Sequence, residues 1–162
     1  MIKWPSQSTA ELIAFYGNPR GDGGHPSIEW ERRNLVRAPV PYAMWYREDA
    51  HTPVVVSNIA IHRRCADSLH RVLLAMTACP SGDSARFFSG SYCFRAMRGS
   101  NKLSMHSYGC AIDFDAEHNP FHSGDHTLHG HSPLVVAFEA EGWIWGGRWN
   151  NPDAMHFQAA LT

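Results

Sequence analysis

Between Cys110 and Asp115 the chain reads Cys-Ala-Ile-Asp-Phe-Asp, and this alternation limits the possible folds more than any other stretch. At a side-chain period of two, Cys110, Ile112 and Phe114 share one face of a strand, while Ala111, Asp113 and Asp115 share the other. One face is core and the opposite face is acidic.

Helical signals surround this strand. From Ile61 the apolar residues fall at Ile61, Cys65, Leu69, Val72, Leu73 and Met76. That spacing predicts one stripe of a helix about five turns long, the main core helix. Pro80-Ser81-Gly82-Asp83 is expected to end it. Ser8 and Glu11 make a capping box that opens a short helix to about Tyr16, stopped by Gly17-Asn18-Pro19. Arg20 to Pro26 is turn chemistry, and the stretch after it, broken by Pro39, Pro41 and Pro53, predicts irregular chain with short strands. Ala85 to Arg95 reads as strand. Ser132-Pro133 starts a helix through Leu134, Val135, Phe138 and Glu141, ended by Gly142. In the tail, Trp143 to Trp149 and Asp153 to Gln158 read as two short strands joined by a turn.

A chain of 162 residues has room for one core, so a single domain over 1–162 is expected, acting as a monomer. The balance of 14 Lys and Arg against 15 Asp and Glu leaves no basic field for a nucleic-acid backbone. No apolar run is long enough for membrane insertion. Met1 to Gln7 lacks the apolar stretch and cleavage site of a secretory signal, which predicts cytoplasmic synthesis. Cys65, Cys79, Cys93 and Cys110 show no C-x-x-C spacing and are expected to be reduced core thiols.

The chemistry centres on His106 and Asp113. Fully extended, the seven residues separating them would span roughly 23 Å, whereas one ion bridges ligands with bonds of about 2 Å. The chain must turn back, and Gly109 is the residue that permits the turn. If the tail is a strand, Met155 and Phe157 point to the core and His156 points to the site. Two imidazoles and a carboxylate, with a fourth position for water, compose a common catalytic zinc centre. Asp153, three residues before His156, is placed to take a proton from the attacking water and deliver it to the departing amine. Arg95 and Arg98 are candidates for a substrate carboxylate or for charge developing on the carbonyl oxygen, with Arg95 preferred.

Each residue also has a plainer role. A lone histidine is more often a hydrogen-bonded core or surface residue than a ligand. Asp113 or Asp153 alone could cap a turn, and either arginine could be a surface cation. The pattern, rather than any single residue, carries the assignment. His118, His122, His126, His129 and His131 crowd into one loop whose spacing fits no helix or finger. They are expected to form a solvated rim, with accessory metal binding as the alternative.

Ser104 to Asp113 fits S-x-H-x-x-G-x-A-x-D, and Asp153 to His156 fits D-x-x-H after a W-x-W-G-G-x-W run at Trp143 to Trp149. These motifs resemble, in order and spacing, the zinc-dependent peptidoglycan peptidases. That group includes VanY-like D-Ala-D-Ala carboxypeptidases and the L-alanyl-D-glutamate endopeptidases of phage endolysins. The resemblance covers about Ser89 to Gln158. It implies one Zn2+ held by His106, Asp113 and His156, Asp153 as general base, and Ser104 and Arg95 on the substrate side. It further implies an α+β fold of the hedgehog and DD-peptidase type, a small antiparallel sheet with helices on one face and zinc on the other. The implied partner is the peptidoglycan stem peptide. Two departures stand out: Gln158 occupies a position where many relatives carry glutamate, and the arginine after Ser-Gly-Tyr is displaced within Ser89 to Arg95.

Two functions follow as expectations. The first is hydrolysis of a stem-peptide bond, with the missing leader fitting a phage-type release to the cell wall. The second is a zinc-containing cell-wall-binding module without turnover, which would have no need of Asp153.

Overall fold

Capping residues account for the first two helices. In the computed structural model, which describes residues 3–46, 52–80 and 83–162, α1 (Thr9–Tyr16) begins at Ser8, whose hydroxyl accepts from Glu11 N. It ends at Gly17, in the positive-φ conformation that suits glycine. The other half of the capping box is redirected, because the Glu11 carboxylate accepts from Ser6 N. A second helix, α2 (Ile28–Asn34), lies where irregular chain is expected. Ser27 caps it through Trp30 N, and Glu29 and Glu31 occupy the first turn, where the helix dipole favours negative charge. These sequence signals are masked by the glycines and prolines around them.

Four short strands follow: β1 (Leu35–Pro39), β2 (Trp45–Tyr46), β3 (Val54–Val55) and β4 (Asn58–His62). β1 and β4 pair antiparallel as a separate two-stranded ribbon. The core helix α3 (Arg63–Ala75) leaves β4 directly and has 13 residues, fewer than the five turns expected. Ile61 belongs to β4, and His62 turns the chain, its Nδ1 accepting from Arg64 N at 3.1 Å. The stripe itself holds: Cys65, Leu69, Val72 and Leu73 are buried. Of the expected stop signal, Ser81 and Gly82 lie outside the described residues, and Asp83 caps a 3-10 turn over Ser84–Arg86.

The main sheet takes its remaining strands from β5 (Phe87–Gly90), β6 (Ala111–Phe114), β7 (Ile144–Trp145) and β8 (His156–Gln158), with α4 (Pro133–Ala140) before β7. Its order is β3-β2-β5-β6-β8-β7. Neighbours are antiparallel except β2 and β5, which run parallel. The fold is therefore α+β, with a mixed sheet in place of a purely antiparallel one. The strand expected over Ala85 to Arg95 shrinks to β5, because the 3-10 turn takes its start and the register shifts between Phe88 and Gly90.

Phe138 of α4 stacks on Phe157 at 4.3 Å and lies 5.9 Å from Phe114, so apolar side chains cover one face of β6 and β8. Asp113 pairs in register with His156, and both point to the opposite face. The acidic alternation stops after Phe114. Asp115 turns away with φ +49°, accepts from Ser84 Oγ at 2.7 Å and pairs with His118 Nδ1 at 2.8 Å. The cysteines are all free thiols, but only Cys65 and Cys110 are buried; Cys79 is half-buried and Cys93 exposed. Among the described residues no helix is long and apolar enough to cross a membrane.

Candidate metal centre

The first candidate ligand, His106, is placed by a cap and a glycine. Ser104 Oγ accepts from His106 N and opens a 3-10 turn over Met105–Tyr108, which Gly109 closes in the left-handed conformation at φ +61°. A Cβ at 109 would lie 2.8 Å from Leu35 Cδ2 and 3.0 Å from His62 N, so the turn-back needs glycine for both backbone and space. The chain then enters β6 with Asp113 facing His106. β8 supplies His156 directly opposite Asp113.

Hydrogen bonds decide which ring nitrogens face inward. His106 Nδ1 sits 2.6 Å from the Ser91 carbonyl, which can only accept, so Nδ1 carries the proton and Nε2 is bare. The Gln158 amide donates through Nε2 to Ala160 O at 2.8 Å, which turns its oxygen toward His156 Nε2 at 3.2 Å. That ring therefore carries its proton on Nε2 and leaves Nδ1 bare. The bare atoms converge: His106 Nε2 lies 3.2 Å from His156 Nδ1 and 3.2 Å from Asp113 Oδ2, and His156 Nδ1 lies 2.9 Å from Asp113 Oδ1.

Four ligands at about 2.05 Å around a tetrahedral ion stand about 3.3 Å apart. The observed triangle is close to that size, and both imidazoles and the carboxylate are types that zinc accepts. The residues present therefore fit a metal ion. Burial raises the Asp113 carboxyl, but the facing His106 and His156 rings, which can carry a proton there in place of an ion, outweigh it and hold the carboxyl well below its usual range. Burial lowers His156 in turn, but Asp113, together with Asp153 and Gln158, outweighs it and raises the ring above its usual value. The centre thus favours an ionised carboxylate with positive charge beside it.

A cavity of about 470 Å³ opens on the triad, lined among others by Arg95, Arg98, Ser104, Phe121, Trp149, Asp153 and Met155. Asp153 sits where its pKa is raised, chiefly by burial, and its Oδ1 is buried without a partner among the described residues. Arg95 and Arg98 are both exposed and both reach the cavity, and neither guanidinium has a carboxylate partner among the described residues. Arg98 lies 5.1 Å over the Phe121 ring. Ser104 is buried, and its N donates to Arg95 O. Met155 lines the cavity instead of the core, because β8 begins only at His156 and Met155 belongs to the turn before it.

The histidine loop divides. Phe121 forms part of the cavity wall, and His122 N donates to Pro152 O, which brings the loop to the rim. His118 pairs with Asp115, and His126 Nδ1 lies 2.6 Å from Leu128 O. Among the described residues the one group of three or more metal-type side chains is His106, Asp113 and His156.

Three contributors escape the sequence reading. Ser107 Oγ accepts from Arg95 N and donates to Arg95 O, tying the arginine segment to the His106 turn. Gln158 fixes the His156 tautomer, and its place after His-Phe is the signal that could have revealed this. Trp149 packs its ring 5.6 Å from the His156 ring.

One imidazole from a 3-10 turn, and one imidazole and one carboxylate from the sheet, with a half-buried acid beside them, form a donor set of the kind that hydrolytic metal centres use. Residues 98–159, under half of the chain, match the peptidase family M15 model described as D-alanyl-D-alanine carboxypeptidase. The match supports the resemblance to zinc-dependent peptidoglycan peptidases and covers Ser104, the triad and Asp153, while Arg95 falls just outside it. No curated protein and no solved structure gives a significant match.

Proposed function

We propose that the chain is a single-domain zinc peptidase that hydrolyses a peptide bond of the peptidoglycan stem, of the D-Ala-D-Ala carboxypeptidase or L-Ala-D-Glu endopeptidase kind. The observation that carries this reading is the triangle of bare ligand atoms, 2.9–3.2 Å on a side, opening on a cavity with Asp153 in its wall. His106, Asp113 and His156 would hold the ion. A bound zinc ion supplies a Lewis acid that acidifies water and polarises a carbonyl. Asp153 then takes the proton of the attacking water and passes it to the departing amine. Its raised pKa matches that shuttle, since a carboxyl that is too acidic returns no proton.

Arg95 is assigned to charge developing on the carbonyl oxygen, and Arg98 and Ser104 to substrate binding. Their cavity-lining positions support these roles. A binding module without turnover is disfavoured, because it gives no reason to bury a carboxylate oxygen unpaired beside a metal triad.

The test is digestion of purified cell wall by the zinc-loaded protein, with mass spectrometry of the fragments. Asp153→Ala is expected to keep one zinc per chain and to release no new amine. Full activity of that variant would overturn the mechanism, and an inert wild-type protein would overturn the function.

A further inference from the structure

Four of the six indoles donate to an acceptor within the protein. Trp4 Nε1 donates to Glu141 O, Trp30 to Tyr16 O, Trp143 to Ser68 Oγ and Trp145 to Ala154 O. Trp149 Nε1 is buried and has no acceptor among the described residues. Native interiors leave few donors in that state, and one found in the wall of a site calls for a ligand. The second buried side-chain atom without a partner among the described residues is Asp153 Oδ1, which lies in the same wall.

The two residues are held by one anchor. Gly146 O accepts from Trp149 N at 3.1 Å and from Asp153 N at 3.0 Å. A Cβ at 146 would fall 2.6 Å from Asp153 O and 3.1 Å from Trp149 Cζ3, so the loop is wound too tightly for any larger residue. The Trp149 ring also rests against His156, one of the triad. A donor and an acceptor in the lining of one cavity, both unpaired among the described residues, complement a peptide unit, which presents one carbonyl and one N–H.

We propose that Trp149 is a substrate-positioning residue whose indole N–H donates to a backbone carbonyl or carboxylate oxygen of the peptide bound across the triad. The assignment rests on the peptidase reading and names a contact that this reading does not contain. Because the hydrogen bond forms on binding, its loss acts on substrate affinity more than on the chemical step.

The experiment uses the zinc-loaded full chain and a synthetic stem pentapeptide. Trp149→Phe keeps the aromatic packing and removes the N–H. Its zinc content is expected to equal that of the wild type, with kcat/KM lower by about ten-fold and the loss carried by KM. In the zinc-loaded Asp153→Ala variant with 15N-labelled tryptophan, the Trp149 indole proton is expected to shift downfield when the pentapeptide is added. That signal is assigned by its loss in Trp149→Phe or by through-space contact with the His156 ring, so a variant that fails to fold leaves the test standing. An indole signal that stays in place, or Trp149→Phe kinetics like those of the wild type, would overturn the proposal. Absence of pentapeptide hydrolysis by the wild type would count instead against the peptidase reading.

Discussion

Gln158 stands behind His156 much as Ser91 stands behind His106: each offers an oxygen to the ring nitrogen that faces away from the triad. The difference is that a carbonyl of the main chain is fixed, whereas the Gln158 amide depends on its bond to Ala160 O to keep its oxygen forward. Outer partners of this kind typically change metal affinity by about 10–100-fold. Gln158→Leu is therefore expected to weaken zinc binding by about that factor in competition with a chelator, with the fold retained. Gln158→Glu, which supplies an acceptor without the amide anchor, is expected to bind zinc at least as tightly as the wild type. Equal affinity of the leucine variant would show that packing alone orients the ring.

Two elements bring the candidate ligands together, and each has a weak point that can be probed. The 3-10 turn over Met105–Tyr108 returns the chain to β6 through Gly109, in a conformation costing other residues about 1–2 kcal/mol, with His62 N only 3.0 Å from an added Cβ. Gly109→Ala is expected to lose about 2 kcal/mol or more of stability and to weaken metal binding by displacing His106, read by denaturant unfolding and zinc titration. Across the sheet, Phe138 of α4 is fully buried against Phe114 and Phe157, whose strands carry Asp113 and His156 on their other face. Phe138→Ala is expected to destabilise by about 3–5 kcal/mol. An unchanged unfolding midpoint would mean that α4 does not brace the metal face.

At the scale of the whole molecule, two solution variables report on the fold. A ligand that binds only the native state stabilises by about 2.7 kcal/mol at a hundred times its Kd. Stripping zinc with a chelator is thus expected to lower Tm by about 5–10 °C, reversibly. Acidity acts through a different part of the core. His62, buried where β4 meets α3, donates from Nε2 to Tyr16 O and accepts Arg64 N at Nδ1, so both its nitrogens are used in the neutral form. Burial is the main cause that pulls its pKa from 6.5 to about 4. The folded state therefore resists the proton that the unfolded chain accepts. The stabilisation is complete above pH 6.5 and is lost as the pH falls toward 4, by up to about 3 kcal/mol. Urea unfolding at pH 7 and pH 4.5 checks this, and His62→Asn is expected to flatten the slope between those values.

The residues that come together at the candidate site were legible in the sequence. Alternation placed Asp113 opposite the core, Gly109 announced the turn, and the spacing from Asp153 to His156 set an acid near a candidate ligand, because strand periodicity and glycine conformations act over a few residues. The stripe of α3 and the starts of α1 and α4 were legible for the same reason. What reached across the chain was not. The parallel pairing of β2 with β5, the turning away of Asp115 toward Ser84 and His118, and the exposure of Cys93 depend on neighbours distant in sequence. So do the ring tautomers, which follow from Ser91 O and the Gln158 amide. Local pattern determined which residues face a site; only tertiary packing decided which of their atoms meet there, since a lone pair is aimed by whatever hydrogen-bonds the other side of its ring.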